Sequence, residues 1–158
     1  MEKVKIMSRK KFLEYIPETK DVVAIRISDT LPIKEVAEKR YLDVLRLSFY
    51  DEYILDEDID RNTPWGTNRF TDDYVEQVNN FIEKYKDKQF IIHCEQGISR
   101  SSAVGYYILK KLNCTEELND KKDSCLYFPN IEVYGKLIGK IYNRENAVDL
   151  RNELNNLD

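Results

Sequence analysis

The chain reads as an α/β protein: one domain over residues 1–158, with a central, mostly parallel (mixed) sheet flanked by helices. Three observations predict this. Short apolar runs rich in Val and Ile alternate with segments of helical period, and helices alone finish the chain. No internal repeat and no Pro/Gly-rich linker divides it. At Phe90–Ala103 an apolar run passes through a short loop straight into helix-like spacing.

Taken in order, Val4 to Met7 predicts a short first strand. Ser8 is placed to cap a helix from Arg9 to Ile16, with Phe12, Leu13 and Ile16 on one face and Pro17 as the stop. The basic run Arg9-Lys10-Lys11 reads as a solvated helix face. Asp21 to Ser28 carries Val22, Val23, Ala24, Ile25 and Ile27, the composition of a buried strand. Ser28-Asp29-Thr30 turns the chain, and Pro32 to Lys39 is a helical turn or an irregular link. Tyr41 to Phe49 is a further strand, carrying Leu42, Val44, Leu45, Leu47 and Phe49. The acidic stretch Asp56 to Arg69, with Pro64-Trp65-Gly66, predicts the longest loop, and long ordered loops are often functional. Thr71 caps a helix running to about Lys86, its apolar face made by Tyr74, Val78, Phe81, Ile82 and Tyr85. After the central motif, Ala103, Val104, Tyr107, Ile108 and Leu112 continue a mostly apolar helix that belongs against the sheet. Asn113 to Asp123 is polar and predicts a loop with at most one helical turn. Pro129-Asn130 precedes a helix through Ile131, Val133, Tyr134, Leu137, Ile138 and Ile141; Asn143 to Asp158 makes a last one through Ala147, Val148, Leu150 and Leu154.

Composition narrows the function. Hydrophobic residues at 42% with 34% charged describe a folded globular chain. A net charge of −4 argues against a broad electrostatic grip on nucleic acid or an acidic membrane. No apolar run approaches membrane-spanning length, and Met1-Glu2-Lys3-Val4-Lys5 does not begin a signal peptide. Cys94, Cys114 and Cys125 are odd in number and form no CxxC pair, so a disulfide framework is not expected. One histidine and no clustered cysteines give a zinc site little to be built from, and no cofactor is expected. The reading is a monomer in the cytosol.

The informative stretch is His93-Cys94-Glu95-Gln96-Gly97-Ile98-Ser99-Arg100-Ser101. A buried strand feeding a tight loop that opens a helix builds an anion site. Loop N–H groups converge on one point and the helix N-terminus adds its positive end. Cys94 would lie at the floor, where positive potential favours thiolate over thiol. Arg100 supplies a planar fork for two phosphate oxygens, and Gly97 admits a backbone conformation that a side chain would obstruct. A nucleophile in a phosphate cradle points to phosphoryl transfer through a cysteinyl-phosphate.

His93-Cys94-x-x-Gly97-x-x-Arg100-Ser101 resembles the signature loop of the cysteine-dependent protein tyrosine phosphatases, the dual-specificity branch in particular, over about residues 20 to 142. Its late position separates it from the low-molecular-weight phosphatases and arsenate reductases. The resemblance implies a tyrosine phosphatase-like fold and a phosphate-binding loop of Cys94, Glu95, Gln96, Gly97, Ile98, Ser99 and Arg100. It also implies a general acid between the preceding strand and helix. The carboxylates there are Asp51, Glu52, Asp56, Glu57, Asp58 and Asp60. Asp51, just after Leu47-Ser48-Phe49, matches the family's placement; Asp58 and Asp60 are the alternatives. Ser101 is placed to hydrogen-bond the Cys94 sulfur or to cap the helix. His93 either orders the loop and supports a low thiol pKa or is simply a buried structural residue. Trp65 reads as packing, and Cys114 and Cys125 as ordinary thiols, with a resolving role for either as the alternative.

The loop carries no lysine, and Glu95 would repel additional phosphates. That favours phosphomonoesters on protein, phosphotyrosine first, with phosphoserine and phosphothreonine next. The competing readings are a phosphatase of a small molecule or RNA 5′-phosphate, a phosphotyrosine-binding pseudophosphatase, and a rhodanese-like sulfur carrier.

Overall fold

The computed structural model describes residues 2–32, 34–59 and 68–157. Four strands, β1 (Val4–Ser8), β2 (Val22–Ser28), β3 (Asp43–Ser48) and β4 (Gln89–Cys94), form a sheet in the order β1-β4-β2-β3. All neighbouring pairs are parallel, so where a mixed sheet was allowed for, the described strands all run one way. The helices are α1 (Arg9–Glu14), α2 (Asp72–Lys84), α3 (Arg100–Lys111), α4 (Thr115–Asp123), α5 (Ile131–Ile138) and α6 (Ala147–Asn155). Single 3₁₀ turns lie at Val36–Arg40 and Asp56–Asp58.

This topology positions the site. The chain lays down both edges, β1 and β3, before β4 fills the slot between β1 and β2. The register sets Ser8 beside Cys94, Arg26 beside His93 and Ser28 beside Ser48. All four carboxyl ends therefore share one edge, where open parallel sheets bind ligands. The segments leaving that edge carry Arg9, Asp29, Asp51 and the loop after Cys94.

Side chains alternate across a strand, so β4 splits its residues between two cores. Phe90, Ile92 and Cys94 join the larger one, with Val23, Ile25 and Ile27 of β2, Val78 and Ile82 of α2, Val104 and Ile108 of α3, Val133 of α5 and Leu150 of α6. Ile91 faces the smaller core of Met7, Phe12, Val22, Ala24, Ala37 and Tyr41. On that face Arg26 and His93 are also fully buried.

Capping follows the sequence. Ser8 accepts from the Lys11 N–H, Thr71 from the Tyr74 N–H, and Asn130 from both the Glu132 and Val133 N–H groups. Three expectations are corrected. Helix α1 stops at Glu14 and leaves Ile16 exposed, because a residue before proline disfavours the helical conformation. Helix α5 stops before Gly139, which is left-handed at φ +82°, and the Lys140 N–H closes back on the Gly135 carbonyl; Ile141 lies beyond it, exposed. The segment expected to be loop after Asn113 contains α4, a helix of three turns' worth of polar residues that buries only Leu118 and Lys121. Leu42 and Val148, read as apolar face residues, are also exposed.

Helix α4 is held by charge rather than by an apolar stripe. The Glu117 carboxylate accepts from the backbone N–H groups of Lys3 (2.7 Å) and Val4 (2.9 Å), and Lys121 pairs with Glu2 at 2.8 Å. One side chain thereby satisfies two N–H groups at the start of edge strand β1. Glu117→Ala should lower the hydrogen-exchange protection of the Lys3 and Val4 amides while leaving that of β4 near wild type. Equal protection of both amides in the two proteins would show that Glu117 does not anchor β1.

Candidate active site

The loop from Cys94 to Arg100 joins the central strand to helix α3. Three of its carbonyls take backbone donors from elsewhere in the chain: the Arg9 N–H on Glu95 O (3.2 Å), the Phe128 N–H on Ile98 O (3.0 Å) and the Asn130 N–H on Ser99 O (3.0 Å). The Ser102 hydroxyl adds bonds to Ile98 O and Ser99 O. Among the described residues, the N–H groups of Glu95 to Ser99 donate to no protein group. An anion at the loop's centre is their natural partner. Gly97 is required twice over. Its φ is +72°, and a Cβ there would lie 2.5 Å from the Met7 carbonyl carbon and 2.6 Å from the Ser8 nitrogen.

At the floor, Cys94 is 2% exposed and its Sγ lies 3.0 Å from the Ser101 hydroxyl. The Arg100 guanidinium is fixed through Nη1, which donates to Asp29 Oδ1 and to the Phe49 carbonyl, each at 2.8 Å. Nε and Nη2 have no protein partner among the described residues, and these two atoms form the parallel fork that takes two oxygens of one phosphate. Asp51, Cys94, Gln96, Ile98, Ser99 and Arg100 line a cavity of about 230 Å³.

Among the described carboxylates of the β3–α2 interval, Asp51 is the one that lines this cavity. Its Oδ1 accepts from the Ser99 hydroxyl (2.8 Å) and from Asn130 Nδ2 (2.9 Å), so one oxygen is clamped and the other remains for a proton. Ser99 consequently does not cap α3 with its side chain. Asp58 is turned to the far side, its Oδ1 3.9 Å from the Arg144 guanidinium. Asp60 and Trp65 lie outside the described residues.

No family model matches the sequence, and no curated protein matches it either. Solved structures do. The crystal structure of human DUSP28 superposes with a TM-score of 0.53 at 13% identity, covering 94% of this chain and 96% of that one. Tk-PTP in its active form is 24% identical over 97% of this chain and 91% of its own, with a TM-score of 0.38. The chain has the fold of the cysteine-dependent tyrosine phosphatases. Within this phosphatase fold the residues read from the motif, Cys94 to Ser101, converge with Asp51 on one cavity.

His93 stands apart from that convergence. It lies on the opposite face of β4 from the Cys94 thiol, fully buried, with Phe12 against its ring at a centroid distance of 4.5 Å. It reaches Cys94 only through the backbone: Nδ1 is 3.3 Å from the Cys94 carbonyl. Three residues at the site were not singled out from sequence: Asn130, Asp29 and Arg26. Arg26 carried a signal, since a charge inside a run of buried apolar residues must have a buried partner. Asn130 read only as preceding a helix and Asp29 as part of a turn, and nothing local marks either as the partner of a remote side chain.

Burial lowers the His93 pKa from 6.5 to about 4; the bond to the Cys94 carbonyl opposes this, and Arg26, Arg9 and Arg100 add to it. The unfolded chain therefore binds a proton between these pH values that the folded chain does not. The histidine's contribution to stability is complete above pH 6.5 and is lost as pH falls towards 4. At about 1.4 kcal/mol per tenfold, this loss approaches ~3 kcal/mol. Denaturant unfolding of wild type from pH 7 to 4 should show it, and His93→Gln should lack that part of the slope. Parallel pH profiles would place the acid lability elsewhere.

Proposed function

We propose that this protein is a phosphatase that hydrolyses phosphomonoesters through a cysteinyl-phosphate intermediate. The observation that carries the reading is the Cys94 thiol at the floor of a loop with open amides, between the Ser101 hydroxyl and the Arg100 fork. In the first step the Cys94 thiolate attacks phosphorus in line. The S–P bond forms as the P–O bond to the leaving group breaks, and the leaving oxygen takes the proton from Asp51. The amides and Arg100 stabilise charge on the three equatorial oxygens. In the second step the Asp51 carboxylate takes a proton from water as water attacks phosphorus. The S–P bond breaks, inorganic phosphate is released, and the Ser101 hydroxyl donates to the departing thiolate.

The substrate class we favour is phosphotyrosine on a protein or peptide, with phosphoserine and phosphothreonine next. Support comes from one phosphate-sized cradle without a lysine, and from Ile98, an exposed apolar side chain lining the cavity where an aryl ring would stand. The cytosol, where thiols stay reduced, suits this nucleophile. Among the described residues no helix is long and apolar enough to cross a membrane.

Cys94→Ser should abolish turnover of an aryl phosphate while retaining binding of vanadate, because the cradle survives. Turnover near wild type in that variant would remove the covalent mechanism. Arg100→Lys should remain impaired although it keeps the charge, since an ammonium cannot present two parallel donors. Wild-type kcat and KM in that variant would mean the fork is not what binds phosphate.

Asp51→Asn should slow phosphotyrosine peptide hydrolysis by roughly 10²- to 10⁴-fold and an activated aryl phosphate much less, because a good leaving group needs little protonation. Asp58→Asn is the control expected to match wild type. The reverse pattern would move the acid to Asp58.

A further inference from the structure

Arg26 is fully buried in the middle of an otherwise apolar strand. Burying a guanidinium is unfavourable, and an aliphatic side chain of similar volume would often stabilise as well or better. Its contacts account for its presence. Nη1 donates to Glu38 Oε2 at 2.5 Å, Nη2 lies 3.7 Å from Glu35 Oε2, and the guanidinium carbon sits 5.1 Å over the Phe12 ring. Nε donates to His93 Nε2 at 3.0 Å. Glu38 is shared with Arg46 of β3; burial would raise its pKa, but hydrogen bonds from Arg46 and Arg26 outweigh this and keep it ionised.

An arginine only donates, so His93 Nε2 must carry a lone pair. A carbonyl only accepts, so the ring nitrogen facing Cys94 O, Nδ1 at 3.3 Å, must carry the hydrogen. One tautomer alone satisfies both neighbours, and an imidazolium would set N–H against N–H. The Cys94 carbonyl shares a rigid trans peptide with the Glu95 N–H, and the two point in opposite directions. Holding that carbonyl on the far face of the sheet turns the first amide of the loop towards the anion.

We propose that Arg26 is a positioning residue: it locks His93 in the Nδ1–H tautomer, and through it the Cys94–Glu95 peptide, so that the Glu95 amide faces the cavity. The catalytic part of this proposal rests on the phosphatase reading; the tautomer does not. Other charged groups around His93 are Arg9 on α1, Glu35 and Glu38 beside the 3₁₀ turn, Arg46 on β3 and Arg100 on α3, with Tyr41 packed on the same face. Around the thiol they are Arg100 and Asp51, with the Ser101 hydroxyl.

His93 is the only histidine in the chain, so imidazole ¹⁵N–¹H correlation spectra of the wild type are assigned without a variant. The expected result is a single Nδ1–H tautomer that stays neutral down to about pH 5. An Nε2–H tautomer, or protonation near pH 6.5, overturns the proposal whatever the enzymatic activity. The functional arm measures alkylation of Cys94 by iodoacetamide across pH in wild type, Arg26→Met, His93→Gln and the double variant. Arg26→Met leaves Glu38 paired with Arg46. Each single variant should react roughly fivefold more slowly near neutral pH, the effect expected of one lost hydrogen bond, and the double no more slowly than either. Unchanged alkylation in Arg26→Met, or additive losses in the double variant, would show that Arg26 does not act through His93. Should Arg26→Met fail to fold, the wild-type spectra decide alone. Loss of phosphatase activity in the wild type itself would instead sink the functional reading and leave the tautomer standing.

Discussion

A loop that holds an anion by its amides must send its carbonyls outward, and a buried carbonyl left without a donor destabilises by about 1–3 kcal/mol. Here the donors come from distant parts of the chain. Arg9 reaches Glu95 O from the β1–α1 junction, and Phe128 and Asn130 reach Ile98 and Ser99 from the approach to α5. His93 adds a contact to Cys94 O and Ser102 further bonds to Ile98 O and Ser99 O, from the motif's own strand and helix. The Cys94–Arg100 loop is therefore a product of the whole fold. The Met7–Ser8 backbone presses so closely on Gly97 that only a residue without a side chain fits between them.

The electrostatics are local. The chain is acidic overall, at −4, yet cations crowd the carboxyl edge of the sheet. Each of them has a carboxylate: Arg9 with Glu35, Arg26 and Arg46 with Glu38, Arg100 with Asp29. With side-chain charges largely paired, the attraction left for an anion comes from oriented amides, the α3 N-terminus and the free side of Arg100. Such a field is short-ranged. Further charges on a polyanion would meet Asp29, Asp51 and Glu95 around the cavity.

The pairing of Asp51 with Asn130 links the segment after β3 to the start of α5. Asn130 caps α5 through its side-chain oxygen and, through its nitrogen, holds both the Asp51 carboxylate and the Glu52 carbonyl. The Ser99 hydroxyl reaches the same carboxylate oxygen from the nucleophile loop. The Asp51 carboxylate is thus tied to the Cys94–Arg100 loop directly through Ser99 and to the start of α5 through Asn130.

How much of this was legible divides along a physical line. Short apolar runs and 3.6-residue patterns placed β1 to β4, α2, α3, α5 and α6, because burial on both faces of the sheet and on one face of a helix imposes them on the sequence. Helix α4 escaped that test since its fixing contacts are the Glu117 and Lys121 charges, which leave no apolar period. The spacing of His93, Cys94, Gly97, Arg100 and Ser101 was readable because a strand, a tight loop and a helix N-terminus are all local. By itself, then, the sequence determined the α/β class with its mostly parallel sheet, and it placed the loop from Cys94 to Arg100 between a strand and a helix. Tertiary structure alone decided that Asp51 rather than Asp58 meets the cavity, and that Asn130 and Asp29 hold the acid and the arginine. It also set His93 on the opposite face against Arg26. These are contacts between residues 48 to 79 positions apart, and no local pattern encodes a partner at that distance.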